Sequence, residues 1–365
     1  MSVIMRNICG GSNGGSSKGF PPGDATNISV RSGSRCAKIK WSDPDNTVEN
    51  GTTLSTWSST IIVRKEGSAP SSIKDGTIII TNTTKNKYKD IPYIDSNVTV
   101  GKTYYYRFFT VSTDKVYNTD SNMIYSIIIV QFGSILKDNS WEAIAAASEE
   151  GSASDIWKVG DEIDITLSGT FNETITLQIW DFNHFDKSDG SGKAGICFGM
   201  KNLMKECEKM NNSDTSTGGW NDTYMRNTVM QNILKSMPSN LRNAIKEVNT
   251  YANAGNHSTS SSIGKLSKDK VFLPGFAELV SNDWTSQDQC TTETNQKKFP
   301  IFTDNNSRIK KLSNGTGNAK SWWTRSPAYS DSCYGFCGIG SPGYDTSNNP
   351  SSNSSGYGVC FCFNV

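Results

Sequence analysis

Residues 326–365 contain no lysine, glutamate, glutamine, methionine or tryptophan, and their only side-chain charges are Asp331 and Asp345. Serine, glycine and asparagine dominate, a bias that alone would suit a disordered tail. Seven aromatic residues argue otherwise, namely Tyr329, Tyr334, Phe336, Tyr344, Tyr357, Phe361 and Phe363, because disordered tracts are poor in large apolar rings. The segment therefore reads as surface loops with a buried anchor at each end. Ser321-Trp322-Trp323-Thr324-Arg325-Ser326-Pro327 supplies the first anchor, a strand that enters a core and turns at the proline. Residues 358–363 supply the second. Period-two spacing sets Val359, Phe361 and Phe363 on one face and Cys360 and Cys362 on the other, and two apolar faces indicate a central strand. A long Gly/Ser/Asn connection between two such anchors points to a functional loop. Tyrosine among serine, glycine and asparagine is also the palette of recognition loops, giving rigid contact area beside adaptable hydrogen bonds.

The 365 residues leave room for more than one domain. A net charge of +1 gives no footprint for nucleic acid or an anionic membrane. Apolar runs are too short to span a bilayer, and the N-terminus lacks the basic start and apolar core of a secretory signal. The expectation is therefore neither a nucleic-acid partner nor membrane insertion, and export, if it occurs, by another route. Nine cysteines, odd in number and scattered, read as reduced, buried thiols rather than a disulfide framework. Cys333, Cys337, Cys360 and Cys362 lack the spacing of a zinc ribbon, so no metal or other cofactor is expected.

Residues 1–23 hold the Gly/Ser run Gly10-Gly11-Ser12-Asn13-Gly14-Gly15-Ser16-Ser17, a flexible linker composition. Residues 24–131 alternate short branched or aromatic runs with turn residues, the pattern of a seven-strand sandwich. Ala37-Lys38-Ile39-Lys40-Trp41-Ser42-Asp43-Pro44 and Val98-Thr99-Val100-Gly101-Lys102-Thr103-Tyr104-Tyr105-Tyr106-Arg107-Phe108 resemble the second strand and the tyrosine corner of a fibronectin type III domain. That resemblance implies an immunoglobulin-like spacer module. A polar joint over residues 131–139 then leads to residues 139–365, with a different composition. Ser140 suits an N-cap, Trp141, Ile144 and Ala145 an inward stripe, and Gly151 a stop. Strand patterns follow at residues 157–167 and 174–179. Asp222 is the expected cap of a helix carrying Met225, Val229, Ile233 and Leu234 inward, and Ser239 the expected cap of another. Val271-Phe272-Leu273-Pro274 reads as a short buried strand. Helices first and strands last predict an α+β domain.

Two motifs invite chemistry. Trp220-Asn221-Asp222 offers oxygen donors of the kind calcium takes, but its place at a helix start favours a staple and a cap. His184 lies among Asp181, Asn183 and Asp186, which permits acid-base work. Without a second histidine or a framed nucleophile it reads as a structural residue.

In order along the chain, Ser140-Trp141-Glu142-Ala143-Ile144, Val159-Gly160-Asp161, Trp180-Asp181-Phe182-Asn183-His184, Lys193-Ala194-Gly195-Ile196, Gly219-Trp220, Met225-Arg226, Asp269-Lys270-Val271-Phe272-Leu273, Trp322-Trp323-Thr324-Arg325-Ser326-Pro327 and Gly358-Val359 resemble the DUF6273 family of bacterial and phage proteins. This resemblance implies a C-type-lectin-like fold. Some members are similar to the variable proteins of diversity-generating retroelements, whose mutated asparagine codons reach a restricted residue set to which every residue of 326–365 belongs. The chain departs from the family's frequent Gly-Val-Arg-Pro close, having Gly358-Val359-Cys360-Phe361. The resemblance implies a receptor-binding or adhesin protein of a phage or prophage tail, located on the virion or the bacterial exterior. Its ligand would be a host-surface protein or glycan, held by Tyr329, Asp331, Tyr334, Phe336, Tyr344, Asp345, Asn348, Asn349, Asn353 and Tyr357, with other tail proteins at its N-terminus and homo-oligomers compatible. Trp322, Trp323, Arg325 and Phe361 would be scaffold. The rivals are a thiol oxidase like the formylglycine-generating enzymes, using Cys333 and Cys337, and a structural decoration protein.

Overall fold

The computed structural model describes residues 19–119, 123–255, 264–280, 296–313, 317–328, 335–353 and 357–365. The glycine/serine run at residues 10–17 lies outside them. The chain divides into two compact units, Met1–Val130 and Gln131–Val365.

The N-terminal unit contains β1 (Thr26–Gly33), β2 (Cys36–Ser42), β3 (Thr47–Glu49), β4 (Thr52–Ser55), β5 (Trp57–Glu66), β6 (Thr77–Asn82), β7 (Tyr93–Asp95), β8 (Thr103–Ser112) and β9 (Ile124–Ile128). Sheets of order β1-β2-β7 and β6-β5-β8-β9 face each other, with β3 and β4 as a separate hairpin. Alternation decides which side chains go inside: Ala37, Ile39 and Trp41 of β2 meet Ile62, Tyr104, Tyr106 and Phe108 of the other sheet. Trp41 donates from Nε1 to Asp43 at 2.7 Å, and Asp43 also accepts from Thr60 and the Asn86 amide, so the buried carboxylate is fully engaged. The Tyr104 hydroxyl accepts from the Thr99 amide at 3.2 Å, a tie of the kind a tyrosine corner makes.

The C-terminal unit starts at Gln131, earlier than the polar joint suggested. Asn139 binds the Gly133 amide and the carbonyls of Gly133 and Ile135, Leu136 is buried, and Trp157 Nε1 donates to Gly133 O. Residues 131–139 are thus a folded part of this unit. Helix α1 (Trp141–Glu150) is capped as expected, with Ser140 Oγ accepting from Ala143 N and Gly151 in the left-handed region. Its buried stripe is Trp141, Ile144 and Ala147 rather than Ala145, and Trp141 meets Phe198 edge-on. The other helices are α2 (Ala153–Ile156), α3 (Gln231–Ser236) and α4 (Ser239–Ala244).

Two expected caps are corrected. Asp222 closes a 3-10 turn, and the Thr223 hydroxyl accepts from the Arg226 amide instead. Ser239 is the first residue of α4, preceded by Pro238, and makes no side-chain cap bond. A π-helical turn over Met225–Met230 runs into α3, which leaves Leu234 only half-buried at the edge of the core.

The strands of this unit are β10 (Glu162–Leu167), β11 (Glu173–Phe182), β12 (Ile196–Met200), β13 (Val248–Asn253), β14 (Gly264–Asp269), β15 (Val271–Phe272), β16 (Ser321–Pro327), β17 (Gly335–Ile339), β18 (Asp345–Pro350), β19 (Tyr357–Gly358) and β20 (Cys362–Asn364). They make a five-stranded sheet β10-β11-β12-β20-β15, a hairpin β13-β14 and a four-stranded sheet β18-β17-β16-β19. Residues 357–365 therefore close both larger sheets. Tyr357 and Gly358 pair with Ser321 and Trp322, the chain crosses over, and β20 inserts between β12 and β15. The single strand expected at residues 358–363 is this crossover, buried throughout.

Candidate recognition surface

The frame of the site is β16. Trp322 and Trp323 are fully buried, and their indole N–H groups donate to Arg308 O at 3.0 Å and Glu208 O at 2.7 Å. Thr324 Oγ1 donates to Cys337 O at 2.9 Å, tying β16 to β17. Arg325, 0% exposed, uses every N–H of its guanidinium. Nε donates to Tyr251 O, Nη1 to Leu273 O and Glu278 Oε2, and Nη2 to Glu278 Oε1 and Gln296 Oε1. A buried charge is tolerated only when paired and fully hydrogen-bonded, so Arg325 is scaffold.

On this frame stands the β17–β18 hairpin. Its tip is held on both sides: Gly343 N donates to Gly340 O and Gly340 N to Tyr344 O, while the buried Arg308 donates from Nε to Gly343 O at 3.0 Å. Gly343 has φ +85, and a Cβ there would sit 1.9 Å from Asn305 O, so only glycine fits. Next to this clamped turn, Tyr344 is 58% exposed. The far end of β18 is anchored by Ser351, whose buried hydroxyl lies 3.0 Å from the carbonyls of both Ser213 and Thr215, with one hydrogen to donate, and accepts from Thr215 N. Hydrogen bonds from Ser352 hold the Asp214 carboxyl below its usual range.

The ten expected ligand contacts separate accordingly. Phe336 is corrected: it is 0% exposed and packs in the core, because it lies on β17, a strand covered on both faces, and not in a surface loop. Tyr357 is half-buried and stacks on Trp323 at 4.2 Å between centroids, which makes its ring a brace for the frame. Tyr344 is at the surface, and Asn353 is half-buried just beyond the Ser351 anchor. Asp345, Asn348 and Asn349 lie on β18, with Asp345 opposite Ile339 and Asn349 opposite Phe336 in register. Tyr329, Asp331 and Tyr334 lie outside the described residues. The clamp formed by Arg308, Asn305 and Gly343 was missed; Ser341-Pro342-Gly343 signals a turn, but nothing local to Arg308 marks its partner.

The remaining chemical candidates are buried or hydrogen-bonded where they are described. Cys337 is buried with Sγ 3.9 Å from Pro327 O, whereas Cys360 and Cys362 contact Met200 O and Phe272 O, so these three thiols do not converge on one point. Cys333 lies outside the described residues. Burial pushes the Cys360 thiol up to about 12 against the pull of Lys310, a state of low nucleophilicity. Trp220 donates to Asp269, and the Asn221 amide donates to Leu266 O. His184 Nδ1 lies 2.8 Å from Asp181 Oδ2, with its ring stacked on Phe299. Burial alone would raise the Asp181 carboxyl; hydrogen bonds from His184, Lys297 and the Phe182 amide outweigh it and hold the group below its usual range.

A β-sandwich unit followed by a predominantly β unit whose last strands close two sheets is the class that this architecture defines. Within the second unit, residues 195–365 match the model of the family described as "Domain of unknown function (DUF6273)". The matched region leaves out α1, β10 and β11, which share one core with it. Among solved structures, the chain is similar to the third fibronectin III domain of human KIAA0343 protein, at 14% identity and TM-score 0.24, over 34% of this chain and 96% of that one. It is also similar to the twitchin kinase region of C. elegans, at 8% identity and TM-score 0.21, over 49% of this chain and 31% of that one. No curated protein matches the chain.

Proposed function

We propose that the chain is a recognition protein whose β17–β18 hairpin and flanking loops bind a ligand on a bacterial surface, as the adhesin of a phage or prophage tail. In this reading the second unit is a C-type-lectin-like domain diversified by a retroelement, and the sandwich is a fibronectin-type spacer. One observation carries the proposal. The bulky side chains of β16, β17 and β20 are buried, and they hold at the surface a rigidly clamped tip whose exposed ring is Tyr344. Preorganised tyrosine contacts lose little entropy on binding. Copies displayed together would add avidity to a modest single contact.

The test is binding of the labelled full chain to a panel of bacterial cells and to envelope extracts. Tyr344→Ala is expected to weaken binding by about tenfold or more, the scale of a contact hot spot, with an unchanged melting temperature. Full binding by Tyr344→Ala would place recognition elsewhere, and no binding to any cell or extract would favour a decoration protein.

A further inference from the structure

Away from the hairpin, the C-terminal unit has a cleft of about 360 Å³ between the turn after β11, strand β13 and the start of the segment at 296. That volume is at the small end for ligand pockets and suits one or two small rings. Part of its wall is occupied with itself, since Arg325 and Glu278 are fully buried and pair with each other. Gln296 is also committed, accepting from Arg325 and donating to Tyr251 O.

Two other lining groups have unused capacity. The Asn249 carbonyl oxygen is buried and has no hydrogen-bond partner among the described residues. The His184 side chain is 2% exposed, and its Nδ1 is held by Asp181. Nε2 has no partner among the described residues. An ionised Asp181 can only accept, so the ring donates from Nδ1 and leaves Nε2 as its other hydrogen-bonding nitrogen. A buried carbonyl oxygen and an uncommitted ring nitrogen at one cleft suit a ligand that carries hydroxyls, which donate to the first and can donate to or accept from the second.

The rim decides the ligand's charge. Lys297 lies 2.5 Å from Asp181, and Lys193 lies 3.0 Å from Asp186, with both lysines about half exposed. An ammonium ligand would satisfy the Asn249 oxygen but would meet these cations at the entrance. An anion would be drawn to the lysines, yet its oxygens would face the Asn249 carbonyl oxygen inside. Neutral hydroxyls fit both, donating inward and bridging each lysine–carboxylate pair outward. Tyr251, 49% exposed at the same cleft, offers a ring face for apolar C–H groups.

We infer that this cleft is a saccharide site that takes a neutral sugar ring, with hydroxyls hydrogen-bonded to Asn249 Oδ1 and His184 Nε2 and the C–H face packed on Tyr251. The site is separate from the hairpin surface and does not depend on the function proposed for it.

The full chain would be titrated with neutral monosaccharides and disaccharides at millimolar concentration, alongside glucosamine and glucuronic acid, and followed by saturation-transfer NMR. The imidazole ¹⁵N resonances would be recorded in parallel. At least one neutral sugar is expected to bind and to shift the His184 Nε2 resonance. Tyr251→Ala and Asn249→Ala should each weaken that binding by about tenfold, the worth of one good contact, while Tyr344→Ala leaves it unchanged. Should Asn249→Ala fail to fold, Tyr251→Ala and the His184 resonance decide. The inference falls if no sugar binds, if binding survives both cleft substitutions, or if Tyr344→Ala abolishes it. The last outcome would move the sugar to the hairpin and leave the recognition reading standing.

Discussion

Arg325 shows how much a single buried residue carries in this unit. It joins β16 to Tyr251 on β13, to Leu273 and to Glu278, segments far apart in sequence. Removing one partner of a buried ion pair leaves an uncompensated charge, at a cost of about 3–5 kcal/mol. Glu278→Gln is therefore expected to lower stability by that amount in urea unfolding, and replacing Arg325 and Glu278 together by apolar residues should recover much of it. A double variant no better than the single one would show that the pair is not the cause. The paired tryptophans announced a buried frame because no other two tryptophans are adjacent in the sequence. Glu278 and Arg308 were not legible, because one sequence does not say which distant polar groups meet. Phe336 misled for a related reason: on a Gly-rich strand, only tertiary packing decides how many faces are covered.

At the scale of elements, the β17–β18 tip has the sharpest requirement. Alanine at position 343 would combine a left-handed φ with a Cβ 1.9 Å from Asn305 O, so the turn must lift from its clamp. Gly343→Ala should lower stability by about 1–3 kcal/mol, measured by thermal unfolding, and should weaken ligand binding although Tyr344 is intact. Unchanged stability would mean that the tip is not clamped. Helix α1 was legible to the residue at both ends, since Ser140 and Gly151 are local signals. The Asp222 cap was not, because the neighbouring Thr223 competes for the same role and the outcome depends on where the 3-10 turn ends. The π-helical turn at Met225–Met230 shifts the inward stripe by part of a turn, which a regular helical period does not anticipate.

For the whole molecule, the division into a sandwich and a second, larger unit was visible as a change of composition, and so was the sandwich's end near 131, but the start of the second unit was not. The polar residues 131–139 looked like a joint, and the bonds of Asn139 and the burial of Leu136 make them part of the second core. Nor did the alternation at residues 358–363 show that the chain changes sheets there, since both stretches are apolar. In the function proposed above, a fixed buried frame displays a changeable surface. Sequencing the coding region for residues 320–365 across a population of the source element tests it most directly. Substitutions are expected at Tyr344 and across 329–334 and 345–349, with Trp322, Trp323, Arg325, Phe336, Gly343 and Ser351 invariant. A uniformly invariant segment, or changes falling as often on the frame as on the surface, would contradict it.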